Sequence, residues 1–496
     1  MRFLSYILAA ALVVLASCGV TPPADAVDSA EPIEIYPDYA GVTVPRNIAP
    51  LNFEITAEAE ESMAAFHIGG HEEYCAAGPV VQISEKKWHK MLEQAAGGKI
   101  EVVCYTKTDG HWLRHPAFDI YVSDSEIDPY VAYRLIEPSY ISFEKVWIKQ
   151  RCLENFDESD IYNSFNLSCE KEGQCVNCHS FQDYNRSGNM QMHLRVGKGG
   201  TLVVKDGEAR KVNLKTPSTI SAGVYPSWHP TLPLIAYSVN ETSQNFHSTH
   251  TNKVEVQDAK SDLVLYDVDA NTISYIAADS AELETFPSWS PDGKWLYYVS
   301  ATVPQLSDEE MARYQSFNYK DFKYNIFRRS FDPATRQFGP TDTVFMASEI
   351  GKSATHPRVS PDGRFLMFTL GEYGTFHIWH KDADLYVLDL ASGDVRPMDE
   401  LNSPDVESYH SFASGGQWVV FSSRRDDGSY TRLYITHFDE NGVATKPFLL
   451  PQKDPRSNER LFRSYNVPEF MAEPVDVSKS DIIGAIDNEP AQATFK

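Results

Sequence analysis

Short apolar runs, broken by turns rich in Pro, Gly, Asn and Asp, recur along most of this 496-residue chain. Their length and punctuation are those of β-strands rather than helices. From Val224 onward the pattern repeats. Tyr225-Pro-Ser-Trp-His-Pro230, Phe286-Pro-Ser-Trp-Ser-Pro-Asp-Gly293 and His356-Pro-Arg-Val-Ser-Pro-Asp-Gly363 share one outline. Tyr409-His-Ser-Phe-Ala-Ser-Gly-Gly416 keeps the outline but loses the Pro-Asp. Each unit precedes an apolar run: Leu234–Ser238, Trp295–Ser300, Phe365–Thr369 and Trp418–Ser422. Pro-Asp-Gly sets a tight turn, because Pro fixes φ and Gly accepts positive φ. Further strands are predicted at Asp262–Asp267, Tyr324–Arg328, Asp384–Asp389 and Arg432–Thr436.

A strand, a tight turn and a second strand make half a propeller blade, so residues 200–470 predict an all-β propeller. Pro226, Pro287, Pro357 and Ser411 fall 61, 70 and 54 residues apart. Blade repeats run about 40–50 residues, so the excess is assigned to loops at Asn240–Lys260 and Val303–Asp321. Strands at Met190–Val196, Thr201–Lys205 and Lys211–Leu214 begin a further blade, and Asn466–Phe470 returns to close the ring. Upstream, residues 46–149 carry strands at Lys99–Tyr105, Ala117–Val122 and Tyr130–Ile136. A helix over Ser84–Ala96 places Trp88, Met91 and Leu92 on one face. A small β-sandwich-like domain is expected there. Residues 18–45 read as a tether and residues 471–496 as a C-terminal tail.

Charge narrows the partners. The formal net charge is −25, from 44 basic and 69 acidic residues. Nucleic acid attracts basic surfaces, so it is excluded as a partner. The N-terminus brings in a membrane. Arg2 and the apolar run Leu4–Ala16 read as an export signal over residues 1–17, too short to span a bilayer. Leu15-Ala-Ser-Cys18 resembles the lipobox of bacterial lipoproteins. That resemblance implies acylation of Cys18 and a lipid anchor in the cell envelope, with the outer membrane expected.

The segment 150–199 carries the chemistry. Cys175-Val-Asn-Cys178-His179 is the C-x-x-C-H spacing that attaches c-type haem. Two thiols three residues apart reach neighbouring edges of one macrocycle, and the following histidine ligates the iron. A strained disulfide or half of a zinc site are the alternatives, but no second C-x-x-C accompanies the motif. One covalent haem c is the expected cofactor. Of the seven cysteines, removing Cys18, Cys175 and Cys178 leaves an even remainder. That suits two disulfides in an oxidising compartment, with Cys75–Cys104 and Cys152–Cys169 preferred. For the second axial ligand, a strand over Asn189–Arg195 puts Met190, Met192 and Leu194 on one face and Gln191, His193 and Arg195 on the other. His193 is the preferred ligand, with Met190 or Met192 the first alternative and another residue or an open site the second, and Arg195 is a partner for a propionate.

Taken together, Tyr133-Arg-Leu-Ile-Glu-Pro138, Cys175–Phe181 and the Ser-Pro-Asp-Gly turns resemble a family of exported bacterial lipoproteins. These combine a β-rich N-terminal domain, a Cys-Val-Asn-Cys-His-Ser motif and a TolB-like propeller. The resemblance implies haem c and an envelope role without a defined reaction. The resulting expectation is a monohaem c-type cytochrome lipoprotein that passes single electrons to a redox partner protein in the envelope. A propeller scaffold that binds proteins or ligands, with structural haem or none, is the alternative. No Gly-x-Ser-x-Gly elbow is present, and the chain is expected not to be an enzyme. His247, His250, His377 and His380 are a weaker candidate metal set.

Overall fold

The computed structural model describes residues 20–137, 145–167, 174–247, 249–250, 252 and 254–496. It is all-β in class and divides into two compact units. One comprises Met1–Asp124 with Pro451–Asn458, the other Ser125–Leu450 with Glu459–Lys496. The expected domain boundary at 149 is therefore corrected to 124. Strands Tyr130–Ile136, Val146–Cys152 and Glu158–Asn163 belong to the second unit, because Tyr130–Ile136 pairs antiparallel with Ser464–Met471.

In the first unit, Lys99–Thr108 is central, flanked by Glu61–Ile68, His111–Arg114 and Phe118–Val122. A smaller sheet of Ile35–Tyr36, Phe53–Ile55 and Val80–Val81 packs on it through Phe53, whose ring lies 6.3 Å from Phe66 and 6.2 Å from Phe118. The predicted helix forms over Glu85–Ala95 and buries Trp88, Met91, Leu92 and Ala95. Trp88 donates its indole N–H to the Ile48 carbonyl at 3.0 Å. Residues 20–45 are not a free tether. Val27–Asp28 and Thr43–Val44 add parallel to this sheet, and Tyr39, Val42 and Val44 are fully buried.

The Cys75–Cys104 disulfide is also corrected. Cys75 faces Ala65 and Cys104 faces Ala64, on strands either side of Glu61–Ile68. An intervening strand separates them by about 10 Å, and successive residues point to opposite faces. Both thiols are free. Cys152 is likewise free, while Cys18 and Cys169 lie outside the described residues.

The second unit is built of antiparallel meanders. Sheet I holds Cys175–Phe181, Met190–Arg195, Gly200–Lys205 and Glu208–Asn213. Sheet II holds Val224–Trp228, Leu234–Phe246, Val254–Asp267 and Thr272–Ala277. Sheet III holds Glu282–Trp289, Trp295–Thr302, Asn325–Asp332 and Gln337–Phe345. One parallel pair, Ser261–Leu283, joins sheets II and III. Sheet IV holds Ser353–Val359, Phe365–Gly371, Asp384–Asp389 and Val395–Pro397. Sheet V holds Glu407–Phe412, Trp418–Ser423, Arg432–His437 and Phe448–Leu449. Sheet VI takes Ser464–Met471 as its first strand, followed by the three strands from Tyr130 to Asn163.

Turn chemistry places these strands. Gly293 has φ 68°, and a Cβ there would sit 2.5 Å from the His229 ring, so glycine is required at that corner. Successive sheets then bury one another's apolar faces, as Val203, Val212 and Leu214 of sheet I do against Trp228, Ile235 and Tyr237 of sheet II. The first strands also touch in succession, I to II, II to III, and onward to VI, and VI touches I.

Three sequence assignments change. Asn240–Lys260 is no loop but the paired end of a long hairpin, with Phe246 opposite Val254. The Val303–Asp321 insertion contains a helix, Asp308–Asn318, started by a capping box between Ser307 and Glu310. The C-terminal segment is structural rather than a tail. Helix Lys479–Asp487 buries Ile482, Ala485 and Ile486. Ala491–Gln492 and Thr494–Phe495 then add parallel edges to sheets I and II.

Candidate functional site

Each first strand of sheets I to VI carries one non-glycine residue with left-handed backbone. These are Cys178, Tyr225, Phe286, His356, Tyr409 and Val467, with φ between 48° and 52°. At each, the pairing register slips, as it does between Asn177 and Ser180 and between Thr355 and Arg358. These are β-bulges, which bend a strand and re-aim its side chains. A left-handed non-glycine residue costs roughly 1–3 kcal/mol. The same cost recurs in all six first strands of the second unit.

All of them line one cavity of about 790 Å³, within the size range of cofactor sites. Cys175, Cys178 and His179 lie on its wall. Asn177 donates to the Cys175 sulfur at 2.9 Å, and Arg134 donates to the Asn177 side-chain Oδ1. Gln191 donates to the Cys178 carbonyl. Burial raises the Cys175 thiol, with Arg195 and Arg134 opposing. His179 is 2% exposed, and apart from an approach to the Val467 backbone its ring nitrogens meet no hydrogen-bond partner. Burial, then the Arg134 charge, pushes its pKa down to about 3. It is a neutral imidazole with an unused lone pair.

The other first strands supply the rest of the wall. Rings of Tyr225, Phe286, His356 and Tyr409 follow one another with centroids 4.1, 4.2 and 4.3 Å apart. Arg134, Arg195 and Arg358 face the same space, beside Glu469. Burial raises the Glu469 carboxyl to about 7, with Arg358 opposing. Glu137 and Asp183 also line the cavity, so its wall carries charges of both signs.

The residues singled out from sequence divide. Cys175, Cys178, His179 and Arg195 meet at the cavity. Met190 and Met192 are fully buried in the apolar cluster with Val176, Phe181 and Ile486. His193 is buried opposite Asn177, 3.4 Å from the Thr201 hydroxyl, and is not among the residues lining the cavity. Burial, with a smaller push from Arg195, lowers its pKa to about 3. The His247/His250 rings lie 5.7 Å apart and the His377/His380 rings 5.4 Å apart. His380 meets Glu255 at 3.1 Å. Among the described residues no group of three or more His, Cys, Asp or Glu side chains is placed to hold a metal ion.

Sequence reasoning missed His356, His410 and the Val467 position. The signal was present in the repeat. Cys178-His-Ser-Phe181 falls in the same frame as Tyr409-His-Ser-Phe412 and Tyr225-Pro-Ser-Trp228. The Cys175–His179 motif therefore falls in the frame of the repeat, with a cysteine at the bulge position.

No protein-family model and no curated protein matches the chain. Solved structures similar to it include Kuenenia stuttgartiensis hydrazine synthase, at 9% identity over 69% of this chain and 46% of that one, with TM-score 0.45. A prolyl endopeptidase is similar at 11% identity, over 65% of this chain and 42% of that one, with TM-score 0.36. The tricorn protease is similar at 12% identity, over 90% and 36%, with TM-score 0.36. This chain spans less than half the length of each. These neighbours are enzymes, so the expectation that this chain is not one is corrected and set aside. TM-scores this low attach no particular reaction to it.

Proposed function

We propose that the second unit is a six-bladed, TolB-like propeller that carries one haem c in its central cavity, and that the protein is a c-type cytochrome lipoprotein of the bacterial envelope. The single observation that carries this reading is the meeting of Cys175, Cys178 and the buried His179 imidazole on one cavity wall. Contact of each first strand with the next, and of sheet VI with sheet I, supports the propeller.

The residues fit the group. Cys175 and Cys178 would each add S–H across a vinyl C=C, forming a thioether and sending the proton to the second vinyl carbon, so no oxidant is consumed. His179 would supply the proximal nitrogen. Arg195 and Arg134 would hold propionate carboxylates through charge-assisted hydrogen bonds. A haem held in this way supplies a reversible one-electron iron couple, whose potential the surrounding rings and buried charges tune. Asn177 fixes the Cys175 sulfur, and Gln191 fixes the Cys178 backbone. The aromatic arc of Tyr225, Phe286, His356 and Tyr409 would limit water around the bound group. Acylation at Cys18 would hold the protein to the membrane, where a redox partner protein exchanges the electron.

The test is protein made with its signal peptide and a haem-attachment system. Intact mass should show one added haem, the alkaline pyridine haemochrome should show the thioether form, and neither Cys175 nor Cys178 should react with a thiol reagent. The Cys175→Ser/Cys178→Ser variant should lose the covalent haem. Free thiols at both positions in a folded protein would reject the reading. They would favour instead a propeller scaffold in which Cys178-His179 merely follows the repeat frame.

A further inference from the structure

We infer that His356 supplies the second axial nitrogen to the haem iron, facing His179 across the cavity. This rests on the haem reading above and goes beyond it by assigning the opposite ligand to a different sheet from the motif.

Placement is the first argument. His356 stands at the bulge position of sheet IV that Cys178 occupies in sheet I. From sheet I, first-strand contacts lead to sheet IV through II and III in one direction and through VI and V in the other. Two sheets intervene on either route, so His356 and Cys178 lie on opposite walls of the same cavity. A macrocycle tied to sheet I and held by His179 would leave its other face open to residues of the remaining sheets, among which His356 stands furthest from the motif in the order of first-strand contacts.

The second argument is an unexplained buried group. His356 is 6% exposed, yet neither ring nitrogen has a hydrogen-bond partner. Leaving such a group unmet costs roughly 1–3 kcal/mol. The ring is held by packing alone, with centroids 4.2 Å from Phe286 and 4.3 Å from Tyr409. A left-handed φ of 52° aims it. Two aromatic neighbours fix the ring while leaving its lone pair free, which is what an axial ligand needs.

The competitors are less well placed. His193 lies on the strand next to the motif, opposite Asn177 and near the Thr201 hydroxyl. It is therefore beside the attachment strand rather than across from it. His410 also lines the cavity, with its Nε2–H donating to the Met367 carbonyl at 2.9 Å and its Nδ1 unpartnered, but it stands on sheet V, one sheet nearer the motif than sheet IV. Met190 and Met192 are sealed in the core between sheets VI and I.

The experiment uses the full-length, haem-loaded protein and reads spin state and near-infrared bands. The unmodified ferric protein should be low-spin with two nitrogen ligands and no sulfur-to-iron band. His356→Ala should keep one haem per chain, turn high-spin, bind carbon monoxide when reduced, and return to low-spin on adding imidazole. His193→Ala and His410→Ala should stay low-spin. His356→Met serves where the alanine variant does not fold. It should lose the two-nitrogen spectrum, gaining a sulfur-to-iron band or turning high-spin, which a purely structural role would not produce. A haem-loaded His356→Ala or His356→Met that keeps the unmodified spectrum would overturn this inference alone. So would an unmodified protein that is high-spin or shows sulfur ligation. An unmodified protein without covalent haem would overturn the reading of the cavity and this inference with it.

Discussion

Single residues here show how burial, rather than residue type, sets chemical character. His377 was a candidate metal ligand by sequence. In the fold it is fully buried, with its Nε2 3.1 Å from the Tyr373 and Gly374 carbonyls. Burial, reinforced by His380 and opposed by Asp382, lowers its pKa to about 3. The unfolded value is near 6.5. Between those limits the unfolded chain binds a proton that the folded chain refuses, so stability falls as pH falls through that window. His377→Asn removes that sensitivity. Urea titrations at pH 7 and pH 5 should show the unmodified protein losing about 2 kcal/mol more than the variant. Equal losses would mean the imidazole is solvated or paired in the folded state.

At the scale of elements, the helix Lys479–Asp487 decides more than its position near the chain end suggests. Ser478 caps it, accepting from the Asp481 amide at 3.1 Å. Ile482, Ala485 and Ile486 then enter the cluster that holds Met190 and Met192. The strand next to the attachment motif is thus backed by the C-terminal helix. Ile486→Ala should destabilise the second unit by about 2–5 kcal/mol, through lost burial and the cavity left behind. Denaturant titration followed by tryptophan fluorescence reads this. A loss under about 1 kcal/mol would place the helix outside the cooperative core. The helix was not legible beforehand, because Ser478–Asn488 carries too few apolar positions to announce a face without a partner in view.

For the molecule as a whole, the second unit joins both ends of its chain in one sheet. Ser464–Met471 pairs with Tyr130–Ile136, placing the end of the repeats beside strands that precede them. A chain ending at Glu459 keeps Pro451–Asn458 for the first unit but removes that partner strand. Amides of Tyr130–Asn163 should then lose hydrogen-exchange protection, and the second unit should unfold over a broader range of urea. A truncated chain with unchanged protection and a sharp transition would show that sheet VI contributes nothing to cooperativity.

The sequence by itself determined the β class, the repeat frame, the helix Glu85–Ala95 and the cysteine and histidine spacing of the motif. Each is a local matter of strand length, turn residues, amphipathic period or covalent reach. Only the tertiary structure decided the rest. Strand alternation separated Cys75 from Cys104, a pairing preferred because the two are near in sequence. Partners hundreds of residues away moved Tyr130–Asn163 into the second unit and turned the C-terminal tail into a packed helix and two edge strands. The strand over Asn189–Arg195 was correctly alternating, but a strand has two faces, and the sequence does not say which of them meets a cavity. Here the methionine face meets the core and His193 meets Thr201. The imidazole across the cavity comes from a bulge 177 residues after His179, brought there by repeated turns and by burial between sheets.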